Sequence, residues 1–237
     1  MYRVLAYGRY GLIRAYWKIN QSEVWTLPLF QSGQGQAPVW GELNDFEIVR
    51  LAKGENHTFE RKDAKEKLIV AGGSCCVMFA GNKIFALERS TLSLNDDKGI
   101  FRVDSVQEDT TLVRLWGRWG EELGGSGVFK VVKAEQLVER GDPVSYPKET
   151  NFDSHYHDCD EYWILVEGRG VAVSEGRHYE VGPGDCVATG MGHHHDFPIV
   201  YEPVKAVFFE TTMDRQKRKR HLWNHTHGTA VPVKERV

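Results

Sequence analysis

Short runs of β-branched, aromatic and other apolar residues recur along the first half of the chain, at 46–51, 67–71, 74–80, 83–88, 100–106 and 111–116. Gly, Asn and Asp separate them. This spacing predicts short strands joined by turns, as in an all-β barrel. In the second half, alternation from Glu161 puts Trp163 and Leu165 on its own face of a strand and Tyr162, Ile164 and Val166 on the other. Residues 31–37 read as a polar loop. The first 30 residues, with Tyr7, Tyr10, Tyr16, Trp17 and Trp25, read as strands added to the first barrel. Residues 117–127 hold five glycines in eleven positions and predict a linker. Residues 134–140 predict one short helix, with Gly141 as its C-cap.

The two halves resemble each other. At an offset of 95 residues, Glu66 falls on Glu161, Gly73 on Gly168 and Gly81 on Gly176 without a gap. Upstream, Val49 meets Val144, Lys53 meets Lys148 and Asn56 meets Asn151. A fixed offset with matching apolar strands between the identities predicts two copies of one barrel. The expected boundaries are 1–117 for the first barrel, 118–141 for the linker and short helix, 142–213 for the second barrel and 214–237 for a basic tail.

Length agrees, since 237 residues accommodate two barrels of about 100 residues each. The formal charge of −3 implies no general attraction to nucleic acid or membrane. It is unevenly spread: residues 214–237 carry seven Lys/Arg against Asp214 and Glu235, a local +5. This run, with His221, His225 and His227, reads as a solvated terminal segment rather than a nucleic-acid element. Four cysteines, Cys75, Cys76, Cys159 and Cys186, form no C-x2-C pair and suggest a reduced intracellular protein. Arg3, Arg9 and Arg14 interrupt the N-terminal apolar residues, which argues against a secretory signal. The longest apolar stretch, 68–81, is 14 residues with glycines inside it; a membrane helix needs about 20. A cytoplasmic protein without membrane or nucleic-acid partners is the expectation.

The densest chemistry lies in 151–168. His155 and His157, one residue apart, point the same way on a strand, and Glu161 rejoins that face after one irregular step. A third imidazole can come from His193, His194 or His195. His155, His157, Glu161 and Gly168 give H-x-H-x3-E-x6-G, which resembles the first motif of the cupins, a superfamily of small β-barrels. A Gly182-Pro183-Gly184-Asp185 turn and then Gly190-Met191-Gly192-His193-His194-His195 resemble the second. Gly190 stands where the family usually has Pro, and Glu149 where the first motif usually opens with Gly.

The resemblance covers 144–210. It implies tandem double-stranded β-helix (jelly-roll) barrels, a bicupin, with the metal ligands at His155, His157, Glu161 and His195. His193 and His194 are then outward-facing or outer residues. In the first copy Glu60, Lys62 and Ile100 fall on the three histidine positions, so only Glu66 is retained and that barrel is expected to be metal-free. Three imidazoles and a carboxylate suit one divalent Fe, Mn, Co, Ni or Zn. Trp163 is a candidate pocket wall, Phe197 and Asp196 candidates for the cavity mouth, and Asp153 a candidate support of the first ligand. No P-loop, dinucleotide fingerprint or G-x-S-x-G elbow is present. The expectation is a metal-dependent enzyme on a small polar metabolite (sugar, sugar acid or organic acid; isomerase- or epimerase-like). A metal-anchored small-ligand binding protein and an Fe(II) dioxygenase remain open alternatives, and a homodimer is an assembly open to it. No residue identifies itself as the catalytic acid or base.

Overall fold

The computed structural model describes residues 29–34, 37–95, 99–138 and 140–236. Fourteen strands dominate them. The first-half strands are β1 (Leu29–Gln31), β2 (Leu43–Leu51), β3 (His57–Glu60), β4 (Lys65–Gly72), β5 (Ser74–Phe79), β6 (Asn82–Leu87), β7 (Thr91–Ser93), β8 (Ile100–Asp104) and β9 (Thr110–Gly117). The second half has β10 (Leu123–Val131), β11 (Glu161–Ser174), β12 (Arg177–Val181), β13 (Asp185–Thr189) and β14 (His195–Thr212). One four-residue helix, α1 (Asn224–His227), follows.

The same strand order appears twice. The first half has one sheet ordered β2-β9-β4-β7 and a second ordered β3-β8-β5-β6. In the second half β10-β14-β11-β13 repeats the first of these orders, with β12 paired to β11. There β11 and β14 are long strands broken by register shifts between Leu165 and Val173, so they bend where the first half uses separate strands. The turns repeat as well. Ala80-Gly81 and Glu175-Gly176 both have positive φ at consecutive residues, the conformation of a type I′ hairpin turn. Gly73 and Gly168 share φ near +80° and +76°. A Cβ at Gly168 would also strike the Pro203 carbonyl.

Three expectations about organisation change. The glycine-rich stretch is not a linker: from Leu123 it is β10, paired with β14 from Leu123↔Thr212 to Val131↔Val204. Its glycines lie where side chains of β14 cross, Glu210 beside Gly124 and Phe208 beside Gly127. The second unit's sheet therefore begins well before residue 142. Second, the helix expected over 134–140 is absent among its described residues, which are irregular. Third, β1 does not extend the first unit; it crosses to β13, from Leu29↔Val187 to Gln31↔Asp185. The strands expected over 1–28 lie outside the described residues.

The two halves share a core. Phe46, Ile69, Val113 and Leu115 of the first sheet pack with Tyr162, Ile164, Val207 and Phe209 of the second, all buried. The opposite face of β11, bearing Trp163 and Leu165, packs with Phe197, Val187 and Ala206 inside the second unit. A third core, around Leu68, Val70, Phe101 and Leu112, fills the first unit. Period-2 alternation on β11 thus gives one face to the seam between the halves and the other to the interior beneath the histidine cluster. Among the described residues no helix is long and apolar enough to cross a membrane.

Candidate metal centre

His155, His157, Glu161 and His195 come together at one end of the second unit, their candidate ligand atoms all within 4.8 Å of one another. Glu161 is the first residue of β11 and His195 the first of β14. His155 joins His195 through a two-residue bridge, with N–H···O distances of 3.2 and 2.9 Å. All four residues are buried, none more than 4% exposed.

Each histidine is oriented by a main-chain oxygen. His155 Nδ1 donates to Asp153 O at 2.8 Å, His157 Nδ1 to Arg220 O at 3.1 Å and His195 Nδ1 to His193 O at 3.0 Å. A carbonyl can only accept, so each Nδ1 carries the proton and each Nε2 keeps its lone pair. Those lone pairs converge: His195 Nε2 lies 2.9 Å from His155 Nε2 and 2.8 Å from Glu161 Oε2. His157 Nε2 lies 3.3 Å from Glu161 Oε2. Neither His157 Nε2 nor Glu161 Oε2 has a hydrogen-bond partner. Buried lone pairs facing one another without a donor are costly. A cation shared among them satisfies all four at once, and imidazole nitrogen with a carboxylate oxygen is a set that divalent transition metals accept. The residues present fit such an ion.

Electrostatics favour neutral His155 and His195 beside an ionised Glu161, while His157 moves the other way. Burial, then the neighbouring rings of His195 and His157, pushes His155 well below its ordinary value. Burial also lowers His195, against the pull of Glu161. Burial alone would raise the Glu161 carboxyl; attraction to His157 and His195 outweighs it and holds the group well below the usual range. His157 moves up because Glu161 and Glu210 more than offset its burial.

The other sequence candidates divide. The Trp163 ring lies 5.2 Å from His195 at a steep angle, with Phe152 against its other side at 5.2 Å. Phe197 and Asp196 are not at a mouth, since both are wholly buried. Phe197 belongs to the interior core. Asp196 binds Lys148 Nζ at 2.7 Å and Tyr146 OH at 3.0 Å, anchoring the segment that leads into the ligands. His193 is held by Glu175 Oε1 at 2.7 Å and Val233 O at 2.8 Å, and His194 by Asp142 Oδ2 at 2.8 Å, so neither joins the cluster.

Two features escaped the sequence reading. Glu210 stands opposite Glu161 in the β11–β14 register, buried, with Oε1 3.9 Å from His157 Nδ1. Burial and the Glu161 charge raise its carboxyl. The adjacent signal was Gly124, where a Cβ would meet the Glu210 carboxyl and Cys159 Sγ. The second feature is the C-terminal segment, expected to be solvated but folded across this end of the unit. His221 stacks on His155 at 3.6 Å with an angle of 3° between the rings. His221 Nδ1 and Trp223 Nε1 both reach Asp153 Oδ2 at 2.9 Å.

No family model matches the chain. Among solved structures, the fold resembles the oxalate decarboxylase of Bacillus subtilis, at TM-score 0.50 and 11% identity over 76% of this chain and 71% of that one. It also resembles vicilin from hazelnut (Corylus avellana), at TM-score 0.51 and 6% identity over 77% and 79%. The architecture is all-β, of the cupin barrel type, and it carries a His/Glu cluster of metal-ligand character. In sequence, the chain is 47% identical over 211 residues to the uncharacterized protein y4oW of Sinorhizobium fredii, covering 89% of this chain and 97% of the relative. It belongs to that protein's family.

Proposed function

We propose that the protein is a bicupin with a single metal centre, in its second half, and that it is a metal-dependent enzyme acting on a small polar metabolite. The observation that carries this reading is the tautomer lock. Three Nδ1–H groups are held by backbone carbonyls, leaving three Nε2 lone pairs and Glu161 turned on one another. His155, His157, Glu161 and His195 would hold a divalent Mn, Fe, Co, Ni or Zn, which when bound supplies a Lewis acid that polarises a carbonyl, hydroxyl or water oxygen.

The chain's own residues supply the surroundings. Trp163 and Phe152 give the centre an apolar wall that keeps water out on that side. Glu210 Oε1 is the carboxyl oxygen placed to take or return a proton beside the ligands.

The test is elemental analysis of the purified protein, then chelation and reloading with each metal in turn. Each loaded form is screened against sugars, sugar acids, organic acids and catechols, with and without O2. Turnover that vanishes on chelation and returns with one metal supports the reading, and a requirement for O2 would move it to the dioxygenase class. Reversible binding without turnover across the screen would replace it with a metal-anchored binding protein.

A further inference from the structure

The segment after β14 is tied to both ligand-bearing loops. Asp214 N–H donates to Asp158 O at 2.8 Å, and Arg218 N–H to Asp158 Oδ2 at 3.1 Å. Leu222 and Tyr156 exchange two backbone hydrogen bonds, both 3.0 Å, next to ligands His155 and His157. The Leu222 side chain is buried. Asp142 accepts from Asn224 N–H at 2.7 Å and His225 Nδ1 at 2.8 Å. Tyr156 OH donates to Gly228 O at 2.7 Å. Beyond α1, Val233 N–H donates to Met191 O at 3.1 Å. Arg236 then reaches Asp160 Oδ1 at 2.9 Å, the same oxygen that accepts the Met191 N–H. The segment therefore clamps the loop bearing His155 and His157 to the loop leading into His195.

One contact reaches the centre directly. The carbonyl that fixes the His157 tautomer belongs to Arg220, which sits at φ +81°, a left-handed conformation costly for a residue with a Cβ. Arg215 and Lys217 share that conformation. Three such residues within six positions persist because docking holds them, and a solvated tail would relax them.

We propose that residues 214–236 form a strap that completes the metal centre. Arg220 acts as a positioning residue through its carbonyl, His221 as a ring that braces His155, and ion release requires the strap to lift. The inference rests on the metal reading above. Its physical basis is that the group behind a ligating imidazole sets ring orientation and basicity, and loss of such a group weakens metal binding about 10–100-fold.

The full chain is loaded with Co(II), and release into excess chelator is timed beside the visible Co(II) spectrum. Three variants are compared: a chain ending at Asp214, Leu222→Asp, which undocks the strap with the rest of the chain present, and Lys217→Ala. The Lys217 side chain pairs with Glu122 at the surface, and its backbone bond to Asp214 O survives in alanine, so it serves as the charge control. Truncation and Leu222→Asp are expected to release Co(II) about 10–100-fold faster with a shifted spectrum, while Lys217→Ala releases as the parent does. Trypsin should cleave the basic run in Leu222→Asp and spare it in the parent. If either strap variant is folded and releases Co(II) at the parental rate with an unchanged spectrum, the strap proposal is overturned and the metal reading stands. If the full chain takes up no stoichiometric Co(II), Mn(II), Fe(II), Ni(II) or Zn(II), both fall together.

Discussion

Arg114 Nε lies 2.8 Å from Glu66 Oε1, so in the first unit a guanidinium occupies the side of the glutamate that faces imidazoles in the second. The same guanidinium reaches Glu47 Oε2 at 2.8 Å and Glu60 O at 2.9 Å, and it lies 4.7 and 5.1 Å from the stacked rings of Phe59 and Phe101. Glu66 Oε2 accepts from Lys62 N–H at 3.1 Å. The carboxylate retained by the repeat is thus saturated by the chain itself. Lone pairs left unmatched around Glu161 are matched around Glu66.

A built-in cation has a measurable consequence. Arg114 and Glu66 are both almost wholly buried, and removing one member of such a pair leaves an uncompensated charge, at a cost of about 3–5 kcal/mol. Arg114→Ala is expected to lower the unfolding free energy by about that much in a urea titration. Glu66→Leu combined with Arg114→Met should recover most of it, because the pair is replaced by apolar volume. A stability change within experimental error for Arg114→Ala would show that the pair carries no such burden.

Much of this arrangement was readable in the residues, because it follows from local periodicity. Alternation on β11 assigned Trp163 and Tyr162 to opposite faces, and those faces are the interior and the seam. The offset between Gly81 and Gly176 is matched by two turns of one conformation. What was not readable depends on partners distant in sequence. Leu29–Gln31 is an ordinary short apolar strand, and nothing local says that it pairs with β13 rather than with the first unit. The glycines of β10 look like a linker until Phe208 and Glu210 are placed across from them. Arg220 looks like one more charge in a basic run; its contribution is a carbonyl, which a side-chain pattern does not encode. Arg114 reads as an alternating strand residue, and only the fold carries it to Glu66.

The thiols are expected to be inert. All four cysteines are free and buried. Burial, then the neighbouring Cys76 and Asp104, raises Cys75 to about 11. Burial and the Glu210 and Glu161 carboxylates raise Cys159 further. Since the thiolate is the reactive form, Ellman's reagent at neutral pH should label none of them until denaturant is added. Rapid labelling of Cys159 in the folded protein would instead mark a reactive, accessible thiol in this loop.

Metal content should follow the second unit alone. His157→Ala removes an imidazole whose Nε2 has no other partner, and it is expected to abolish most of a one-to-one metal content by elemental analysis. Glu66→Gln, in the unit where Arg114 already fills the carboxylate's coordination, should leave metal content unchanged in whatever fraction stays folded. Equal loss from both variants would mean that the ion is not where the unmatched lone pairs are.

Glu210 separates binding from turnover. It faces Glu161 across the β11–β14 ladder and stands beside His157, yet it is outside the four-ligand cluster. Glu210→Gln preserves shape and hydrogen-bonding capacity while removing the carboxyl that can exchange a proton. If the protein is the enzyme proposed, this variant should keep its metal and lose turnover by about 10²–10⁴-fold, the usual contribution of a positioned acid or base. The loss should fall on kcat more than on KM, because the proton is needed in the transition state and not for binding. Loss of metal together with activity would instead make Glu210 part of the coordination set. Retained metal with full activity would leave the proton transfer to another group, and the carboxyl would then be a buried member of the Gly124–Cys159 packing.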